Sequence, residues 1–125
     1  MNEDLGQQFV RALAHKDASA LKALLRPDVD FRALTPGRVW EASSSDAVVD
    51  EIVFGTWFEA QRRITAIISI DTGTIGLRQR VGYQLSVSFP EGDHIVEQQA
   101  YFDSDNGQIS WLRVMCSGFQ KVGSA

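Results

Sequence analysis

The spacing of hydrophobic positions changes once along the chain, from a helical period in the first half to alternation in the second. In the first half, apolar residues at spacings of three and four predict a helix over about residues 4–15. Asp17 is suited to cap a second helix with a leucine-rich end, and Pro27 ends that helix because proline disfavours helical geometry in the preceding residue. The segment "VDFRAL" then predicts a short strand.

A third helix is predicted after "SSSD", a segment rich in residues that cap helices. Its apolar stripe begins at Val49 and extends to Trp57. Gly55 weakens the expected continuity, since glycine costs about 1 kcal/mol relative to alanine inside a helix. Phe54 and Phe58 lie on an adjacent stripe of the same predicted helix.

From Arg62 onward, apolar and polar residues alternate with a period of two, which is typical of half-buried strands. The run from Leu77 to Phe89 alternates at every position except Gln79 and is the strongest local signal in the chain. "PEGD" and "SDNG" then predict two hairpins, and a last strand is predicted over about residues 108–119. The strand before "DTGTIG" is predicted to carry one apolar face: Ile64, Ala66, Ile68, Ile70.

Helices followed by a meander of long antiparallel strands predict an α+β fold, with the helices packed on one face of a curved sheet. The 125 residues fit one domain, over residues 1–125, which is large enough to bury a core without a disulfide or a metal. The composition, 44% hydrophobic and 22% charged, places the chain among globular proteins rather than disordered ones.

Charge and cysteine content narrow the partners and the compartment. The net charge of −4 argues against nucleic acid, which needs a basic face, and the pair Arg62–Arg63 is interpreted as part of a solvated face. Cys116 is the only cysteine, so no disulfide forms within the chain and a reducing compartment is suitable. The start "MNEDLGQQFV" is too acidic for a secretory signal, and no apolar run approaches the roughly 20 residues that span a bilayer. We therefore expect a cytoplasmic protein without nucleic-acid or membrane partners.

Two long segments resemble the nuclear transport factor 2-like superfamily, which includes SnoaL-like and ketosteroid-isomerase-like proteins. They are "FVRALAHKDASALKALLRPDVDF" near the start and "AYFDSDNGQISWLRVMC" near the end. The resemblance implies a cone-shaped α+β barrel, in which three N-terminal helices pack on a curved antiparallel sheet and close a deep apolar pocket. It says little about activity, because this fold hosts isomerases, dehydratases, cyclases, epoxide hydrolases and non-catalytic modules.

The resemblance also implies which strand faces look into the pocket. On the strand from His94 to Asp103, the implied inward face holds Glu97, Gln99 and Tyr101. A β-bulge would exchange the two faces of that strand, since a one-residue slip reverses every side chain. The implied inward faces of the preceding strand and of the last strand are these: Tyr83, Leu85, Val87, Phe89; Leu112, Val114, Cys116.

The catalytic set of the ketosteroid isomerases is absent. The positions of its tyrosine, its base and its protonated aspartate fall on Phe9, Ala33 and Gln99. Epoxide-hydrolase chemistry is also disfavoured, because the inward face of the second long strand holds no acid. The two histidines, His15 and His94, are scattered, so neither a metal site nor a cofactor is expected.

Glu97 is the remaining candidate for acid–base catalysis, because a carboxylate in an apolar cavity is suited to proton transfer near neutral pH. Gln99, Tyr101 and Tyr83 would orient the substrate beside it. The alternative is that Glu97 is exposed at the sheet or paired with an arginine. These residues are predicted to line the pocket or its mouth, or else to form core: Trp40, Phe54, Trp57, Phe58, Cys116, Phe31.

Two functional hypotheses follow. The first is a domain that binds an apolar or aromatic small molecule and acts on it through Glu97. The second is a non-catalytic interaction module whose cone is plugged by the aromatic residues of "FGTWF". A homodimer is expected in either case, because the predicted outward face of the sheet is unusually apolar and the family commonly dimerises there. The apolar residues assigned to that face are these: Val96, Ala100, Phe102, Trp111, Met115.

Overall fold

The structure is a computed structural model that describes residues 4–122. The two ends of the predicted domain 1–125, including the first three residues of its acidic start, lie outside the described residues. Within the described range, three helices and six strands confirm the predicted α+β class. The elements are α1 Leu5–Ala14, α2 Ala18–Leu24, β1 Leu25–Thr35, β2 Arg38–Ala42, α3 Ala47–Trp57, β3 Arg63–Ile75, β4 Arg78–Phe89, β5 Gly92–Asp105 and β6 Gln108–Lys121.

The first two helices begin where the sequence places capping residues. The carboxylate of Asp4 accepts a hydrogen bond from the backbone N–H of Gln7 at 2.8 Å, and that of Asp17 accepts one from Ala20 at 3.0 Å. Each bond satisfies a donor that the first turn of a helix leaves unpaired. Helix α2 ends three residues before Pro27, which lies inside the longer strand β1.

Helix α3 is a π-helix, in which backbone N–H groups bond to carbonyls five residues earlier. At its end, the N–H of Phe58 bonds to the carbonyl of Val53 at 2.7 Å. A side chain at Gly55 would collide with the carbonyl oxygen of Asp50, so glycine is required by this winding. Gly55 lowered the expected continuity of the predicted helix, but the π-helical winding that is observed depends on it.

The six strands form one open, mixed sheet in the order β2-β1-β6-β5-β4-β3. Strand β1 runs parallel to β6, whereas every other neighbouring pair is antiparallel. The curved sheet that the resemblance implied to be antiparallel is therefore mixed, because of this one pair. A hairpin turn fixes the direction of consecutive strands, but β1 and β6 are far apart in sequence and no turn links them.

The three helices cover one face of this sheet, here called the inner face. Its buried apolar side chains form the main core, and the removal of their surface from water is the chief stabilising term. Every second residue of β4 from Val81 to Val87 is buried in this core, as the alternating sequence pattern predicted. The core includes Phe9, Val10, Leu13, Val49, Val53, Val81, Tyr83, Leu85, Val87, Val96, Ala100, Phe102, Leu112 and Val114.

The predicted orientation of β5 is wrong. Strands β4 and β5 are joined through the two-residue loop 90–91, so Phe89 pairs with Gly92 and Tyr83 pairs with Gln98. Paired residues in an antiparallel ladder share a face, so Gln98 points inward with Tyr83. The side chains therefore exchange places. Val96, Ala100 and Phe102 are buried on the inner face, and Glu97, Gln99 and Tyr101 lie on the opposite face, here called the outer face.

Bulges also change the predicted pattern of two strands. In β3, two register shifts bring Ile64, Ile67 and Ile70 against the core in place of the predicted face with a period of two. In β6, Ser117 and Gly118 lie opposite the single residue Glu97. The second bulge brings both Cys116 and Phe119 to the inner face, although three residues separate them.

Candidate ligand-binding cavity

A cavity of about 510 Å³ lies where the C-terminal end of α3 meets strands β1, β2, β5 and β6 on the inner face. Its volume is within the range of small-molecule sites, roughly 300–1,000 Å³. Most of its wall is apolar. The lining residues are Thr35, Pro36, Trp40, Thr56, Trp57, Arg62, Gln98, Cys116, Ser117, Gly118, Phe119 and Gln120.

Gln98 is the buried polar side chain of this wall and is only 1% exposed. The hydroxyl of Tyr83 donates a hydrogen bond to its Oε1 at 2.6 Å. Burial raises the pKa of Tyr83, with a smaller contribution from Cys116, so the phenol keeps its proton and acts as the donor. With Oε1 engaged in this way, the Nε2 amide has no hydrogen-bond partner among the described residues.

Trp57 supplies a second donor without a partner. The residue is 6% exposed, and its indole Nε1 has no acceptor within residues 4–122. The ring contacts Trp40 edge-on, with centroids 6.0 Å apart, and is tilted against Phe31 at 6.1 Å. The indole of Trp40 differs, because it donates to the hydroxyl of Thr35 at 2.8 Å.

Two buried donors on one cavity wall are a costly arrangement. More than nine in ten buried polar groups in folded proteins have a hydrogen-bond partner, and leaving one unpaired costs about 1–3 kcal/mol. Gln98 and Trp57 both line the same cavity. The cavity that these two residues line is therefore the candidate functional site.

Other residues on the wall give the cavity its electrostatic character. Arg62 is half-buried here, while Arg63 is exposed, so the solvated face predicted for this pair applies to Arg63 alone. The thiol of Cys116 accepts a hydrogen bond from the N–H of Gly118 at 3.4 Å. Among the described residues that line the cavity, none is acidic and none is a histidine.

The structure brings some of the predicted ligand-binding residues to this cavity and leaves others in the core. Trp40, Trp57 and Cys116 line it, and Tyr83 lies behind Gln98. Phe31 and Phe58 are buried in the core, and Phe54 packs against its edge. Of the aromatic residues of "FGTWF", Phe58 is buried and Trp57 lines the cavity, which retains a volume of about 510 Å³ beside them.

The cluster predicted around Glu97 lies on the outer face, away from the cavity. The carboxylate of Glu97 accepts hydrogen bonds from the amides of Gln84 at 3.3 Å and Gln99 at 3.4 Å. Gln99 accepts in turn from Arg80 at 3.1 Å. Tyr101 lines a separate, shallow depression on that face. The predicted inward orientation of Glu97 is wrong. Its catalytic role stays a prediction, but Glu97 does not line the cavity.

The three positions that correspond to the isomerase set do not line the cavity. Phe9 and Ala33 are buried core residues, and Phe9 packs against Tyr83 with centroids 6.3 Å apart. The two histidines lie elsewhere. His15 bonds to the carbonyl of Arg11 at 2.8 Å, and His94 stacks on Phe89. Within residues 4–122, no cluster of histidine, cysteine or acidic residues is suited to a metal ion.

Sequence reasoning missed Gln98 and Arg62. The signal for Gln98 was present in "PEGD", because a two-residue loop at Pro90 and Glu91 places Gln98 opposite Tyr83. No comparable signal existed for Arg62, whose burial depends on the aromatic rings of β4 and β6.

Comparisons with known proteins identify the fold. No family model and no curated protein matches the sequence. A candidate isomerase from Bacillus subtilis superposes with a TM-score of 0.74 at 13% identity, covering 90% of this chain and 84% of its own. A candidate polyketide cyclase from Xanthomonas campestris pv. campestris gives 0.69 at 20% identity, covering 89% and 86%.

A protein described as NTF2-like, from Burkholderia thailandensis, gives a TM-score of 0.69 at 12% identity and covers 93% of this chain and 92% of its own. At these identities the likeness concerns the fold alone, since one fold carries many functions. Among the described residues, no helix has the length and apolarity needed to cross a bilayer. The superpositions on these solved structures show that the chain has the nuclear transport factor 2-like fold that the sequence resemblance implied.

Proposed function

We propose that this protein binds a small, mostly apolar or aromatic molecule that carries at least one acceptor oxygen. The observation that carries the proposal is a cavity of about 510 Å³ lined by Gln98 and Trp57, each of which holds a buried N–H group without a hydrogen-bond partner among the described residues. The indole rings of Trp40 and Trp57 supply flat apolar surface for such a ligand.

Binding without acid–base catalysis by a carboxylate or imidazole is the function that this cavity supports best. Its described lining has donors, aromatic rings and the thiol of Cys116, but no acidic residue or histidine. The neighbours named as an isomerase and a polyketide cyclase favour a small molecule as the ligand, since such proteins act on small molecules. An enzymatic role for Glu97 stays a separate prediction.

A binding assay tests the proposal with two aromatic probes of similar shape. 2-Acetonaphthone carries a carbonyl oxygen and 2-ethylnaphthalene does not, and calorimetry measures the affinity of each. We expect the ketone to bind about fivefold more tightly, because one neutral hydrogen bond contributes about 1 kcal/mol to the free energy of binding. Gln98→Leu should lose that preference, whereas Gln99→Leu, the adjacent amide on the outer face, should keep it.

Trp57→Phe is the second variant, because Gln98→Leu also leaves the hydroxyl of Tyr83 without its acceptor. It removes the other donor and keeps an aromatic ring, so its preference for the ketone should also fall. Equal affinity for the two probes in the parent protein, or no binding of either, would contradict the proposal.

We further propose a homodimer formed through the outer face. The support is a shallow apolar depression of about 280 Å³ on that face, beside three exposed side chains: Leu34, Val39 and Met115. Exposed apolar groups gathered in one patch favour burial against a partner. Of the residues predicted for this interface, Trp111 and Met115 do lie on the outer face. The expected cytoplasmic location also stays a prediction.

A further inference from the structure

We propose that the ligand is an anion with a carboxylate-type oxygen, and that Arg62 is its counter-ion. The inference rests on the proposed binding of small molecules in the cavity and adds the charge of the ligand. Arg62 lines the cavity together with Gln98 and Trp57, the two residues whose buried N–H groups have no partner among the described residues.

The guanidinium of Arg62 is held in place through one nitrogen. Its Nη1 donates to the carbonyls of Trp57 at 3.0 Å and Thr56 at 3.3 Å, at the end of α3. Its carbon lies 4.9 Å from the ring centre of Phe89 and 5.0 Å from that of Phe119. This arrangement fixes the cation while leaving its other N–H groups without a hydrogen-bond partner among the described residues.

Arg62 also lacks a carboxylate partner within residues 4–122, which sets it apart from most arginines of this chain. A half-buried cation without a counter-ion is costly, and a guanidinium binds a carboxylate through two parallel hydrogen bonds. The arginines that do pair with an acidic side chain are Arg26, Arg32, Arg78, Arg80 and Arg113.

The rest of the wall is complementary to an anion. Gln98 and Trp57 line the same wall as Arg62, and no described lining residue carries a negative charge. The overall charge of −4 would repel an anion at long range, so selection must come from local groups. Arg62 is therefore the charged group that an aromatic or apolar carboxylate would meet in this cavity.

The test compares 2-naphthoate with 2-naphthamide and 2-acetonaphthone at neutral pH by calorimetry. The three share one ring system, and only naphthoate is charged. We expect naphthoate to bind at least about tenfold more tightly than either neutral probe, as charge-assisted hydrogen bonds require. Arg62→Met should remove this preference for naphthoate over the two neutral probes.

Arg63→Met is the matched control, because it removes the same charge from an adjacent, exposed position. It should keep the preference for naphthoate. If Arg62→Met does not fold because the end of α3 loses its hydrogen bonds, Arg62→Lys replaces it and should reduce the preference severalfold. A preference that survives in the Arg62 variant, or that disappears equally in the Arg63 variant, would overturn the inference.

The outcomes separate this inference from the proposed function. If acetonaphthone binds and naphthoate binds no more tightly, the cavity is a ligand site but the ligand is not selected by charge. If none of the three probes binds, both the anion inference and the proposed function fail.

Discussion

The hydrogen bond from Tyr83 to Gln98 determines which end of the amide is left without a partner. Tyr83 is buried, and burial raises the pKa of its phenol because the ionised form would lose its hydration. The phenol is protonated at ordinary pH and donates to the amide oxygen, and the amide nitrogen has no hydrogen-bond partner among residues 4–122. Tyr83 acts as a positioning residue for Gln98.

This raised pKa predicts a loss of stability in alkali. The unfolded chain releases the phenolic proton of Tyr83 above pH of about 10, whereas the folded protein retains it. The free energy of unfolding is therefore unaffected by this group below that pH and falls above it, by about 1.4 kcal/mol per pH unit. Urea unfolding at a series of alkaline pH values measures this loss.

Tyr83→Phe should remove this contribution to the alkaline loss. Tyr101→Phe, a replacement on the outer face, retains Tyr83 and should therefore retain its contribution. An alkaline loss that is the same in Tyr83→Phe as in the parent would show that the buried phenol does not cause it.

At the residue scale, the sequence predicted part of the site. Trp40, Trp57 and Cys116 were correctly predicted to line the cavity. Their positions in the loop, the third helix and the last strand correspond to elements that surround the pocket in the family that the sequence resembles. Gln98 was missed because Glu97 and Gln99 carry similar polarity on the opposite face of the strand. Only the length of the preceding hairpin loop distinguishes the two faces.

At the scale of elements, the bulge in β6 shapes the mouth of the cavity. Gly118 has a φ of +77°, a conformation that favours glycine, and a side chain there would approach Cγ of Pro36 to 2.8 Å. The bulge lets Cys116 and Phe119 share the inner face. The turn at Pro36, between β1 and β2, is therefore packed directly against this bulge.

Gly118→Ala should destabilise the protein more than Gly37→Ala does. Gly37 has the same φ of +77°, but a side chain there would meet no atom within 4 Å. The control should cost about 1 kcal/mol, the penalty for a left-handed residue, and Gly118→Ala should cost roughly 1–2 kcal/mol more. Urea unfolding gives both values, and equal losses would show that the contact with Pro36 imposes no constraint.

The elements themselves were largely predictable, because hydrophobic period and capping residues are local signals. The helices, the hairpin-linked strands β3 to β6 and the turns between them follow from those signals. The bulges of β3 were not predictable, since Ile67 and Ile68 are adjacent and the apolar pattern fits either face. The parallel pairing of β1 with β6 was not predictable either, because no local turn encodes it.

At the scale of the whole molecule, the two faces of the sheet are proposed to have separate functions, ligand binding on the inner face and self-association on the outer face. The inner face holds the core and the cavity, whereas the outer face carries the exposed apolar patch around Met115. Ligand binding and self-association should therefore be separable by substitution.

Met115→Asp should convert the proposed dimer into a monomer without a change in ligand affinity. Met115 is 55% exposed in the chain, so the substitution costs little in the monomer and places a charge in the interface. Sedimentation velocity distinguishes the 13.9 kDa chain from a species of twice that mass. Leu77→Asp, at the exposed β3–β4 turn, is the control, and a monomeric parent protein would refute the dimer.

Nitrogen-15 NMR during a titration with 2-acetonaphthone detects whether the buried N–H groups of Gln98 and Trp57 bind the ligand. The chain has three indole N–H signals, which Trp57→Phe and Trp111→Phe assign. We expect a saturable downfield shift of the Trp57 indole proton and of one Gln98 amide proton, with the Trp111 signal on the outer face unchanged. Unchanged Trp57 and Gln98 signals when the ketone is bound would contradict this expectation.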